Sequence, residues 1–178
     1  GEHGQAVSQF CMTYVRDRLC EHPAFASDLG KALTETFLAC DAAMADDDLV
    51  PCRHSGTTAV VAVLHEATLT IAWSGDSRAV LATAAGAVDL TADHNPDVPE
   101  EHARITAAGG FVKPAAADGF SARVYLDAAL TQVGLAMARS LGDHCLRDCG
   151  VIATPTVAVR ELAADDAVEV DVAFARVS

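Results

Sequence analysis

In T-I-A-W-S-G-D-S-R-A-V-L, residues Thr70 to Leu81, an apolar strand stops abruptly on Gly-Asp-Ser-Arg, which places a carboxylate at a sheet edge. Before the bend, Leu69, Ile71 and Trp73 alternate with Thr68, Thr70, Ala72 and Ser74, the period-two pattern of a strand with one buried face. After it, Ala79 to Thr83 is again apolar and β-compatible, and Ala85-Gly86 closes it with a turn. Gly75 tolerates backbone angles that strain other residues, so the bend can hold Asp76 pointing out of the sheet end. Alone, Asp76 reads better as a turn residue that bonds nearby backbone, since Gly, Asp and Ser are ordinary turn residues. The segments around it decide between the two.

Upstream, Ser55-Gly56-Thr57-Thr58 leads into a continuous apolar run from Ala59 to Leu64, and His65-Glu66 turns the chain back. Strands at 58–64, 68–74 and 79–83 are expected to form an antiparallel meander. The first is apolar on both sides, which predicts cover on both faces of the sheet. Before it, Val7, Phe10, Cys11, Tyr14, Val15 and Leu19 fall at helical spacing, and a second stripe of Leu29, Leu33, Phe37, Cys40 and Met44 predicts a helix from about Asp28 to Met44. The run Asp46-Asp47-Asp48 that ends it reads as a solvated loop, since it lacks the neutral ligands and turn glycine of a cation site. Downstream, Pro99, Glu100, Glu101 and Gly109-Gly110 punctuate a short helix. Val133 to Asp143 is rich in small residues and is expected to pack under the sheet, and Thr156 to Val159 is the last strand signal.

Composition narrows the function. With 178 residues, 51% of them hydrophobic, the chain is long enough for one domain with a real core. Its longest apolar run is far too short to span a bilayer, so no membrane partner is expected. Twelve basic against 25 acidic side chains leave a net charge of -13, which repels nucleic acid. No secretory leader is read, so the expected setting is cytoplasmic or nuclear; a start at Gly1 rather than Met suggests a piece of something longer. The six cysteines show no C-x-x-C spacing, which argues for reduced thiols over a zinc site or disulfide framework. None has the Arg six positions later that a cysteine-dependent phosphatase uses. Neither a P-loop nor a dinucleotide G-x-G-x-x-G is present.

Five segments together resemble one family, the metal-dependent protein phosphatases of type 2C, or PPM family. They are S-G-T-T-A-V at 55–60, S-G-D-S-R-A-V-L at 74–81, T-A-D-H-N-P-D-V-P-E-E-H-A-R-I-T-A-A-G-G at 91–110, G-L-A-M-A-R-S-L-G-D at 134–143 and G-V-I-A-T-P-T-V at 150–157. The resemblance covers nearly the whole chain and implies a single, partial domain over 1–178. The implied fold is α+β: an α-β-β-α sandwich of two antiparallel sheets flanked by helices, here incomplete. The implied activity is hydrolysis of phosphoserine and phosphothreonine in protein substrates. Two Mg2+ or Mn2+ ions would activate a shared water, and a histidine would protonate the leaving oxygen.

Carried over by position, Asp76 resembles the ligand of an additional, weakly held metal, with Thr58 the hydroxyl beside it. His3 resembles the general acid of the family's D-G-H-G-G motif, which here reads G-E-H-G-Q. If Glu2 is an insertion, Gly1 is the motif glycine whose carbonyl binds a bridging metal; with a one-residue offset, Gly1 stands in the aspartate's place instead. Residues 91–110 resemble the flap that borders the cleft, with Asn95 where a lysine is usual. The acidic motifs expected before His3 and after the last strand are missing: Ala167 to Ser178 departs from the family as a frame shift or alternative exon would make it do.

Two rival readings remain at this stage. Gly75-Asp76-Ser77-Arg78-Ala79 approaches the nucleophile elbow of a serine hydrolase, although an elbow requires a helix after Ser77. A PPM fold without its full metal set could also persist as a catalytically dead binding or regulatory module.

Overall fold

The computed structural model describes residues 3–116 and 119–163. Its elements run α1 (Gly4–Leu19), α2 (Leu29–Ala45), β1 (Gly56–Thr57), β2 (Ala59–His65), β3 (Thr68–Ser74), β4 (Val80–Thr83), β5 (Gly86–Asp89), α3 (Pro99–Ala107), β6 (Phe111–Lys113), β7 (Arg123–Tyr125), β8 (Leu141–Gly142), a 3-10 turn (His144–Cys149) and β9 (Thr156–Glu161). The class is α+β with antiparallel pairing in each named sheet, as the motif resemblance implied.

The central layer is a three-stranded sheet in the order β2-β3-β9. β2 and β3 form a hairpin in which Ala59 faces Ser74 and His65 faces Thr68. β9 returns from the far end of the chain to pair Thr156 with Trp73 and Glu161 with Thr68. The expected three-strand meander is therefore corrected. After Gly75 the chain leaves the sheet, and β4 pairs only with β5 as a separate hairpin. The place beside β3 that the meander assigned to the third strand belongs to β9. Local alternation identifies strands but carries no information about which distant segment closes a ladder.

A second correction concerns β3 itself. Leu69, Ile71 and Trp73 are buried with Val60 and Ala79 on one face, as their alternation predicts. The opposite face, Thr70, Ala72 and Ser74, is buried as well. Ala72 lies under α1 and α2 in a core with Val7, Cys11, Leu33, Phe37, Cys40 and Met44. Thr70, Ala72 and Ser74 look solvent-compatible in the sequence, yet their small side chains leave room for a closely packed helix layer. The two-sided cover expected for β2 holds at its start, where Ala59 and Val60 are buried, and fades towards Leu64, which is 51% exposed. Asp28 caps α2 by accepting a hydrogen bond from the Lys31 amide.

A third core holds α3 and the β6–β7 hairpin together through Ile105, Val124, Ala138, Leu146 and Val151. The small-residue segment 133–143 thus divides its packing: Ala138 joins this core, while Leu141 joins the helix core. β8 pairs with β1 through Gly56 opposite Gly142. Gly56 has no room for a side chain, because a Cβ there would overlap the Asp143 carboxylate and crowd the Leu141 carbonyl. Among the described residues no helix is long and apolar enough to cross a membrane.

Candidate functional site

At the end of β3 the chain turns at Gly75, whose φ of +108° lies where a side chain is strained. The turn is also packed tightly, since a Cβ at Gly75 would collide with the Thr58 side chain. Thr58, between β1 and β2, is buried, and its hydroxyl lies 2.6 Å from Ser77 Oγ. Thr58 thus touches the residues on both sides of Asp76. The hairpin brings these two expected site residues near each other, because β2 begins, at Ala59, opposite Ser74, where β3 ends.

Asp76 is half-buried, and burial pushes its carboxyl above the ordinary carboxylate value, with Asp93 adding repulsion. Its own amide favours the charged form, and among the described residues no other group hydrogen-bonds it. Arg78, two residues on, turns away to Asp93 through paired bonds of 2.7 and 2.8 Å. Those bonds hold Asp93 below the usual carboxylate range, helped by the Asn95 side chain. Asp76 is therefore a desolvated carboxylate whose nearest cation is committed elsewhere. A carboxylate and a hydroxyl make an all-oxygen donor set suited to a hard divalent cation. Of these two, Asp76 is the charged donor, while the Thr58 hydroxyl is bonded to Ser77. Among the described residues no cluster of three or more His, Cys, Asp or Glu could hold a metal, so a bridging pair finds no ligand set there.

His3 is exposed at the N-terminal end of α1, and its carbonyl accepts from the Ala6 amide at 3.0 Å. No hydrogen bond joins it to Asp76 or Thr58. Gly1 lies outside the described residues, as do Asp165 and the tail from 164 to 178. Ser77 is buried, bonded to Thr58, and followed by strand β4 rather than a helix, so it does not form a nucleophile elbow.

Residues the motifs contained without marking complete the surroundings. His94 is buried against Trp73, and burial, with Arg139 nearby, lowers its pKa to about 4. Glu101, in the first turn of α3, is buried between Arg139 and Arg104. Burial raises its carboxyl, and the two guanidinium groups outweigh that effect and hold it at about 2. Arg139 also donates to the Thr154 carbonyl and Thr156 Oγ1, and Arg104 to the Gly150 and Ala138 carbonyls. Segment 91–110 is thereby bound to 138–156. A cleft of about 520 Å³ is lined by Trp73, Arg78, Asp93 and residues 89–92, reaching this segment but not Asp76. Asp41 on α2 collects the Gly142 amide, His144 and Arg147, and no sequence signal distinguishes it from its neighbours.

The family model described as Protein phosphatase 2C matches residues 1–169. Probable protein phosphatase 2C 12 of Oryza sativa subsp. japonica is 44% identical over 141 residues, which are 76% of this chain and 36% of that protein. Probable protein phosphatase 2C 52 of the same organism is 32% identical over 171 residues, 95% of this chain and 32% of that protein. The chain thus spans about a third of the length of these relatives. Among solved structures, a serine-threonine phosphatase 2C from Toxoplasma gondii superposes with a TM-score of 0.79 at 21% identity, covering 92% of this chain and 62% of that one. A C. elegans sex determining protein gives 0.76 at 23%, covering 92% and 39%. At these identities the two structures establish the fold.

Proposed function

Because the chain belongs to the protein phosphatase 2C family, we propose that it is part of a protein serine/threonine phosphatase that uses Mg2+ or Mn2+ to hydrolyse phosphoserine and phosphothreonine. The family match over 1–169 carries the reaction class. The half-buried Asp76 carboxylate, in no ion pair among the described residues because Arg78 is bonded to Asp93, is the observation that supports a cation beside it. A divalent cation, when bound, neutralises phosphoryl charge and makes water nucleophilic at neutral pH.

Within that reading Asp76 supplies a charged oxygen donor, and Thr58 a hydroxyl that holds the turn and the donor together. His3 gives its proton to the leaving serine or threonine oxygen, which would otherwise depart as a high-energy alkoxide. With Glu2 as an insertion, Gly1 would contribute its backbone carbonyl as a further donor; with a one-residue offset it would stand in the place of the motif aspartate. Residues 91–110 act as a flap, and the Arg78–Asp93 pair sets the wall of the adjoining cleft. The substrates are phosphorylated proteins, and the six cysteines, all free thiols, suit a reducing compartment such as the cytoplasm or nucleus.

The experiment is release of phosphate from a phosphothreonine peptide by the full-length protein, with Mn2+, with Mg2+ and after complete chelation. Turnover is expected with either ion and should vanish on chelation. Activity that survives chelation would overturn the proposal. Retained peptide binding without turnover under any metal would favour a binding module instead.

A further inference from the structure

Gly75 spends both of its backbone polar groups on one distant residue. Its N–H donates to His94 Nδ1 at 3.1 Å, and its carbonyl accepts from the His94 N–H at 3.0 Å. Since Nδ1 accepts, the ring proton sits on Nε2, which donates to Thr156 Oγ1 at 2.9 Å. Thr156 opens β9 opposite Trp73, so the imidazole bridges the end of β3 to the start of its partner strand. The ring also lies parallel to the Trp73 indole, 5.9 Å between centroids with 12° between planes. Trp73 Nε1 donates to the Ala92 carbonyl at 2.8 Å, and the His94 carbonyl accepts from the Ala138 amide at 2.7 Å.

On the opposite flank, Thr58 occupies the space a side chain at Gly75 would need. Gly75 is thus held on one side by packing and on the other by two hydrogen bonds, and the direction of the next side chain, Asp76, follows from that. We propose that His94 is a positioning residue for Asp76, clamping the Gly75–Asp76 turn so that the carboxylate is aimed while segment 91–110 is docked on the sheet. The proposal rests on the reading of Asp76 as a cation ligand. It gives this segment a task on the metal side of the turn, distinct from lining the cleft. Residues that orient a ligand from behind commonly change metal affinity by about 10- to 100-fold when removed.

The test uses the 178-residue chain labelled with 15N and Mn2+ itself as the probe. Two quantities are read: hydrogen exchange of the Gly75 amide without metal, and the Mn2+ concentration that half-broadens the Gly75 and Asp76 resonances. His94→Phe keeps a flat ring against Trp73 but removes both nitrogens. It should speed Gly75 exchange and raise the half-broadening concentration, each by about tenfold. His94→Asn, whose side-chain oxygen can stand where Nδ1 stood, should restore most of both. Thr156→Val removes the hydroxyl that orients the ring, at the cost of one longer bond from Arg139, which keeps the Thr154 carbonyl and Glu101; it should move both readings the same way by a smaller factor, and it answers the question if His94→Phe does not fold.

Asp76→Asn separates the two levels of the argument. It should weaken Mn2+ broadening while leaving Gly75 exchange unchanged. Broadening indifferent to Asp76→Asn would overturn the ligand reading and this proposal with it. Broadening that needs Asp76 but ignores His94→Phe and Thr156→Val would overturn the proposal alone.

Discussion

A carboxylate partly withdrawn from water, with the neighbouring Arg78 committed to Asp93, is costly unless something positive shares its site. Asp76 has this character, and in the proposed reading it acts through a cation whose contribution is made in the transition state. Asp76→Ala in the full-length protein is therefore expected to lower kcat on the order of a hundredfold with little change in KM for a phosphopeptide. Steady-state kinetics at saturating Mn2+ would check this, and an unchanged kcat would reduce Asp76 to a turn residue. His3 is tested by its leaving group. A nitrophenolate departs unaided whereas a serine alkoxide needs a proton, so His3→Ala should cost about 100-fold or more on a phosphopeptide and far less on p-nitrophenyl phosphate. Equal losses on the two substrates would remove His3 from the acid's role.

Helix α3 illustrates how an element is anchored by charge rather than by its apolar stripe alone. Its buried ends of contact are Ile105 and Glu101, and the latter meets Arg139 from a segment far along the chain. With a folded-state pKa of about 2 against an ordinary 4.5, Glu101 stabilises the fold fully above about pH 4.5. That contribution is lost as pH falls from 4.5 through 2, because the unfolded chain takes up the proton first. Glu101→Gln should lower stability at neutral pH by about 3–5 kcal/mol, since it strands two guanidinium groups. The same variant should show a shallower fall of stability between pH 4.5 and 2 than the parent chain. Chemical denaturation at a series of pH values would measure both, and parallel curves would show that the ion pair does not couple to folding.

At the scale of the molecule, the described residues assemble the sheet, its helix layer and one carboxylate turn without a cluster able to hold two metals. Hydrolysis by a bridging pair needs several carboxylates converging from separate strands. The 178-residue chain is accordingly expected to show little or no turnover with Mn2+, while a version extended by the flanking reading frames is active on the same phosphopeptide. Comparable activity in the two forms would mean that the acidic ligands come from within these residues.

Much of this was written locally. Period-two alternation marks β2 and β3, helical spacing marks α1 and α2, and Pro99 with Gly109-Gly110 bounds α3, because each signal depends on residues a few positions apart. The turn that carries Asp76 was legible for the same reason, since Gly75 and Asp76 are neighbours. What alternation could not convey was that β9, not β4, lies beside β3, or that the small face of β3 is the one under the helices. Nor could it mark His94, Glu101, Arg139 and Asp41 as buried partners, because a charged or polar residue reads as surface until its counterpart is found. Two of those pairings join distant positions, Arg139 with Glu101 38 residues apart and Arg147 with Asp41 106 apart. The sequence by itself determined the helices α1, α2 and α3, the strands β2, β3, β4 and β9, and the family. Only the tertiary structure, by deciding which distant groups lose their water together, determined which polar residues hold the site in place.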